Sequence, residues 1–254
     1  MADTIAVLSL KGGTGKTTTV RTLTDAFRRA GLEVLAVDLD PQGNLSDYFD
    51  VPADASPTVA DVLSGDAKIK RAAHDGIIPA TPILAEVERS LSGKMGRELI
   101  LRKALKDARK SYDVILIDCP PALGLLTVNG LVAADWALIS SEAQYFALQG
   151  VQGALEVIEQ AREYYNPDLE WLGVVLNIAD MRTVHSRDAY AQLQEHFGDK
   201  VFAAVVRSSI AYAESAEKAL SILDYRPDLG EDYLALAREV LGRVGRVDAQ
   251  RSLK

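Results

Sequence analysis

The stretch Lys11-Gly12-Gly13-Thr14-Gly15-Lys16-Thr17-Thr18 constrains this chain more than any other, because it begins where the apolar run Ile5-Ala6-Val7-Leu8 stops and a helical pattern starts. A strand ending in a glycine turn lets successive backbone N–H groups converge on one anion, and the next helix N-terminus adds about half a positive charge. Side chains would obstruct that convergence. The turn therefore reads as a phosphate site formed by Gly12, Gly13, Thr14, Gly15 and Thr18. Lys16 would reach the β- and γ-phosphates, and the Thr17 hydroxyl would take one coordination position of Mg²⁺. The spacing departs from the common phosphate-loop pattern at one point. That pattern's first glycine would fall at Leu10, and a second lysine, Lys11, opens the turn instead.

Further apolar runs at residues 34–38, 114–118, 136–140, 172–177 and 201–206 are short, rich in branched residues and mostly non-alternating, like the first at 5–10. They read as buried parallel strands. Helical segments lie between them, so the expected fold class is α/β, a mostly parallel sheet with helices on both faces joined by right-handed crossovers. The pattern predicts a helix over 17–30 closed by Gly31, and a second over 97–110 whose apolar side is Leu99, Leu101, Leu105 and Ala108. Tyr233, Ala237, Val240, Leu241 and Val244 give a terminal helix one apolar face, with Gly230 as a break and Asp232 as its N-cap. That face suits core packing, and a membrane surface is the alternative. Residues 51–76 suggest short surface helices, and 77–82 another strand or its approach.

With 254 residues, 48% of them hydrophobic, the chain can bury a sizeable core, and we expect a single domain over residues 1–254. No window approaches the roughly 18 consecutive apolar residues of a membrane span, and the N-terminus lacks a signal-peptide pattern, so a cytoplasmic protein is expected. Its one cysteine, Cys119, excludes an internal disulfide and a thiolate cluster. A net charge of −8 argues against a globally basic nucleic-acid binder, so any DNA contact must be local.

The Lys11 variant of the turn resembles the deviant Walker A box of the ParA/MinD group of P-loop ATPases. Val37-Asp38-Leu39-Asp40-Pro41-Gln42-Gly43-Asn44 is similar to the group's second acidic box, and residues 113–121, from Asp113 through Asp118-Cys119-Pro120-Pro121, to its Walker B strand and switch. The segments 123–129 and 142–150 are close to stretches of ParA/Soj partition ATPases, so the resemblance spans nearly the whole chain.

Asp118, ending its strand, can hold a Mg²⁺-bound water. The resemblance gives Asp38 a water-mediated metal role and Asp40 the orientation or activation of the attacking water. It implies that Lys11 reaches across a dimer to the partner's nucleotide, while Lys16 serves its own chain. Asn177 matches a position that can recognise the adenine edge, although Asn also ends strands by local hydrogen bonding. Pro120, Pro121 and Gly124 resemble a γ-phosphate-sensing switch, the glycine permitting unusual φ and the prolines restricting it. For DNA the resemblance points to arginines of the C-terminal half, and the candidates are Arg182, Arg187 and Arg207, with Ser208 at the best-aligned position of one family contact.

The implied activity is ATP hydrolysis with ATP and Mg²⁺ as cofactors. An ATP-bound homodimer would bind nonspecific double-stranded DNA on the nucleoid, and a ParB-like or other cargo adaptor would stimulate hydrolysis and release. A MinD-like membrane-surface module is the alternative, opposed by the mostly polar last residues, 247–254. A metabolic enzyme passing phosphate to a small molecule is a second rival.

Overall fold

The computed structural model describes residues 1–144 and 146–253. Seven strands form one sheet: β1 (Asp3–Leu8), β2 (Val34–Asp38), β3 (Ile77–Ile78), β4 (Val114–Asp118), β5 (Trp136–Glu142), β6 (Glu170–Ala179) and β7 (Val201–Arg207). Their order is β3-β2-β4-β1-β5-β6-β7, and every pairing is parallel. The chain leaves β1 towards one edge, returns through β4 and then builds outward through β5 on the other side. That reversal places a topological switch point at the C-terminal end of β1, where open α/β sheets bind ligands.

Both faces of the sheet are covered, which is why its strands are apolar without alternation. Ala6, Leu8, Leu35 and Ile117 belong to one core cluster, with Leu101, Leu131 and Ile158 from helices on that face. Ile5, Val7, Ala36 and Leu116 belong to the other, with Val20, Leu23 and Phe27 of the Lys16–Arg29 helix and Leu236 and Val240 of the Pro227–Arg243 helix.

Three segments differ from the sequence expectation. Residues 97–110 are not one helix but a 3-10 turn Arg97–Leu99, the helix Ile100–Leu105 and a second 3-10 turn Ala108–Lys110. At the first junction Asn129 intervenes, its Oδ1 accepting from Leu101 N at 3.1 Å and its Nδ2 donating to Arg97 O at 2.9 Å. The terminal helix starts at Pro227, well before Asp232, so Gly230 is no break. Proline suits a first helical turn, and Gly230 is there for space, since a Cβ would lie 3.1 Å from Leu223 Cα. The short helices Val59–Ser64 and Ile69–Ala72 are not merely superficial, because Val59, Leu63, Ile69 and Ala72 are buried.

Candidate functional site

The glycine turn joins β1 to the Lys16–Arg29 helix, and Gly13 and Gly15 take φ of +76° and +83°. Glycine adopts such angles at the least cost. Thr14 is buried, and its carbonyl accepts from Ser140 Oγ of β5 at 2.7 Å, which fixes the turn to the neighbouring strand. Residues 12–18 line a cavity of about 720 Å³ together with Asp40 and Asn177. Lys16 is 7% exposed, and the helix has no acidic residue in its first turn to oppose an anion.

Sheet register assembles the carboxylates. Asp38 of β2 pairs with Asp118 of β4, and Val7 of β1 pairs with Asp118 from the other side. Both aspartates are therefore buried at the C-terminal edge beside the turn. Asp118 Oδ2 accepts from Thr17 Oγ1 at 2.7 Å, whereas its Oδ1 is buried without a hydrogen-bond partner. Asp38 accepts from Asp40 N at 3.0 Å, Ser46 N at 3.0 Å and Ser46 Oγ at 2.7 Å. Burial, and then the neighbouring Asp38 charge, push the Asp118 carboxyl up to about 8. Burial also raises Asp38, against the Ser46 hydrogen bonds, which favour its ionised form.

Two desolvated carboxyls side by side, one with an orphaned oxygen next to a threonine hydroxyl, suit a hard cation. Among the described residues no group of three or more His, Cys, Asp or Glu is placed to hold a metal. Mg²⁺ does not need one, since it retains waters and substrate phosphates and takes only one or two carboxylates. Thr17, Asp118 and, behind them, Asp38 fit that ion.

A protein family described as an AAA domain matches residues 2–171. The chromosome-partitioning ATPase Soj of Thermus thermophilus is 39% identical over 94% of this chain and 96% of its own length. The chain belongs to the ParA/MinD group of P-loop ATPases. Two solved structures agree in fold. Cobyrinic acid a,c-diamide synthase of Mycobacterium smegmatis, with ATP analogue and magnesium, is 36% identical over 86% of this chain and 92% of that one, with a TM-score of 0.78. The septum site-determining protein MinD of Pyrococcus horikoshii, complexed with Mg-ADP, is 28% identical over 97% of this chain and 99% of that one, with a TM-score of 0.74.

In this P-loop ATPase Lys11 stands apart from Lys16. Its side chain is 65% exposed, and Nζ donates to Glu142 Oε2 at 2.8 Å and to Gln144 Oε1 at 3.1 Å, outside the cavity that the rest of the turn lines. Asp40 lines that cavity, and its Oδ1 accepts from Gln42 N at 3.0 Å. Asn177 is 1% exposed, with Nδ2 donating to Ser140 Oγ at 2.7 Å and Thr19 Oγ1 at 3.3 Å, while Oδ1 has no partner. The segment expected to act as a switch follows Asp118, and Pro121 lines the cavity. Gly124 has φ −97° and ψ −177°, which any residue adopts, so glycine is not needed there for its angles. A Cβ there would lie 2.7 Å from Glu88 Oε1, the far end of a side chain that can move aside, so space does not demand glycine either.

The three arginine candidates lie at the neighbouring ends of β6 and β7, where Ala179 pairs with Arg207. Arg182 forms a two-point pair with Asp180, at 2.8 and 2.9 Å. Arg187 donates to the carbonyls of Met181 and Arg182 at 3.1 and 2.7 Å. Arg207 pairs with Asp232 at 2.8 Å and borders the nucleotide cavity. Sequence reasoning passed over Ser46, Ser140 and Glu142, which hold Asp38, Asn177 and Lys11. The polar run Ser140-Ser141-Glu142 ending an otherwise apolar strand is the available signal for two of them.

Proposed function

We propose that this ATPase is a DNA-partition or cargo-positioning switch, in which ATP joins two copies and the joined copies hold nonspecific double-stranded DNA. The placement of Lys11 carries the reading. Lys16 lies in the cavity of its own chain, whereas Lys11 is held by Glu142 beside it. An exposed ion pair of this kind contributes at most about 1 kcal/mol, so a phosphate presented by a second copy can draw Lys11 away. The γ-phosphate then acts as shared counter-ion, which makes homodimerisation depend on ATP.

Thr17 and Asp118 would hold Mg²⁺, with Asp38 acting through water, and the ion would supply charge neutralisation at the phosphates. Asp40 orients the attacking water, and Asn177 offers its remaining Oδ1 to the adenine amino group. Hydrolysis loosens the pair and frees the DNA, and a ParB-like or other cargo adaptor accelerates that step. These roles suit a cytoplasmic, nucleoid-associated protein.

The membrane-surface alternative is less favoured, because the apolar face of the terminal helix is taken up by the core. Tyr233, Leu236, Ala237, Val240 and Leu241 are buried against the sheet, Leu253 is 6% exposed, and no helix among the described residues is long and apolar enough to cross a membrane. Lys254 lies outside the described residues.

The test is DNA co-sedimentation with ADP, ATP and a slowly hydrolysed analogue, with anionic liposomes in parallel. Retention on DNA with ATP or the analogue, and not with ADP, is expected. Nucleotide-independent DNA binding or ATP-dependent liposome binding would reject the reading. ATP turnover that requires a small-molecule acceptor would favour the metabolic rival.

A further inference from the structure

Ile178 has a φ of +54°. A β-branched side chain in the left-handed region is strained, and such strain persists only where the surroundings impose it. The other non-glycine residues with positive φ among those described are Asp50, Asp75 and Ala219, none of them β-branched.

The imposing feature is a bulge. Leu176 pairs with Val205 and Ala179 with Arg207, so β6 spends three steps where β7 spends two. The extra residue bends the strand and re-aims its side chains. Asn177 turns inward against the glycine turn, where a Cβ on Gly15 would lie 3.2 Å from its Cγ. Ile178 turns outward, is 38% exposed, and lines the same cavity as residues 12–18. Val206 and Ala213 add apolar surface to that cavity. One end is thus lined by phosphate-seeking groups, and one residue beyond the turn's packing partner the chain presents a strained, exposed aliphatic group. The nucleobase is the flat apolar part of a nucleotide.

We propose that Ile178 is the nucleobase clamp, a specificity residue held in a left-handed conformation so that its side chain lies against the face of the base. The inference rests on the nucleotide reading of the cavity. It predicts that Ile178 contributes to affinity for a nucleotide and not for a bare phosphate chain.

The experiment titrates wild type, Ile178→Asn and Ile178→Val with Mg-ADP and, separately, with inorganic pyrophosphate plus Mg²⁺. ADP is used because the dimer is expected to need ATP. Asparagine enters the left-handed region readily, so Ile178→Asn should melt no lower than wild type without ligand. Its ADP affinity should fall about tenfold with pyrophosphate affinity unchanged, while Ile178→Val keeps most of its ADP affinity. Unchanged ADP affinity in Ile178→Asn would overturn the clamp alone. So would equal losses for both ligands, which would signify a distorted phosphate loop. Binding of neither ligand by wild type would overturn the nucleotide reading and the clamp with it.

Discussion

Lys16 and Lys11 lie five residues apart in one turn, yet the fold gives them opposite surroundings, one nearly buried in the cavity and the other exposed beside Glu142. Lys16→Ala should weaken ATP binding by about tenfold to a hundredfold, the usual worth of a charged hydrogen bond, as titration calorimetry would record. Lys11→Ala should bind ATP normally and stay monomeric in light scattering. A normal ATP dimer in that variant would count against action across the interface. Asp40→Ala should bind ATP and dimerise but turn over slowly, and wild-type turnover in the presence of the adaptor would remove Asp40 from hydrolysis. The buried aspartates add a pH dependence. Burial and the neighbouring Asp38 charge raise the Asp118 carboxyl well above its ordinary 3.8, so above that value the folded state keeps a proton that the unfolded state has lost. Stability therefore falls as pH rises from there. Calorimetry without nucleotide and metal should show the melting temperature dropping from about pH 5 to pH 8, and Asp118→Asn should flatten the slope. A melting temperature that climbs across the window would contradict the burial of a protonated Asp118.

Among the elements, Gly173 of β6 is the least replaceable glycine, with a φ of +147°. A Cβ there would run into the Lys200 carbonyl oxygen and lie 2.9 Å from Phe202 Cε2. Arg243 of the terminal helix adds to the crowding, donating to the carbonyls of Leu172, Lys200 and Val201 and stacking 3.8 Å from the Phe202 ring centroid. Gly173→Ala should cost about 3 kcal/mol and lower the melting temperature by roughly 6–12 °C in differential scanning calorimetry, without altering nucleotide affinity. A loss below about 0.5 kcal/mol would mean that the strand end yields. This strap was not legible in the sequence. The strands were, because burial on both faces demands unbroken apolar runs, and so was the glycine turn that opens the next helix, because its spacing after a strand fits few other conformations. What the sequence hid are contacts between distant segments. Asn129 divides the 97–110 segment from another helix, and Leu223 selects Gly230 within a helix. Neither leaves a local periodicity. The Asp38–Asp118 pairing lies between those cases, since each strand end was visible but their shared register depends on β2 and β4 being neighbours.

For the molecule as a whole, a net charge of −8 must be reconciled with the proposed binding of a polyanion. Arg182 and Arg207 contribute little local excess charge in the monomer, because Asp180 and Asp232 pair with them. Arg187 is bonded to carbonyl oxygens in this loop and so retains its charge. Joining two copies doubles this weak basic patch. Each phosphate neutralised steepens the dependence of log affinity on log salt by about 0.9 on duplex DNA, so the ATP dimer should bind more tightly and with a larger slope than the ADP form. Sequence preference should stay weak, since phosphate contacts position a protein without reading bases. Arg187→Glu should lose most of the binding. Asp180→Asn removes the carboxylate that competes for Arg182 and should raise affinity and salt slope together, with ATP binding unchanged. Fluorescence anisotropy on unrelated duplexes across a salt series, with an ATP analogue or ADP, measures all of this. Weaker binding in Asp180→Asn would mean that Asp180 aims Arg182 rather than neutralising it, and equal affinity in the two nucleotide states would mean that the DNA site does not depend on joining two copies.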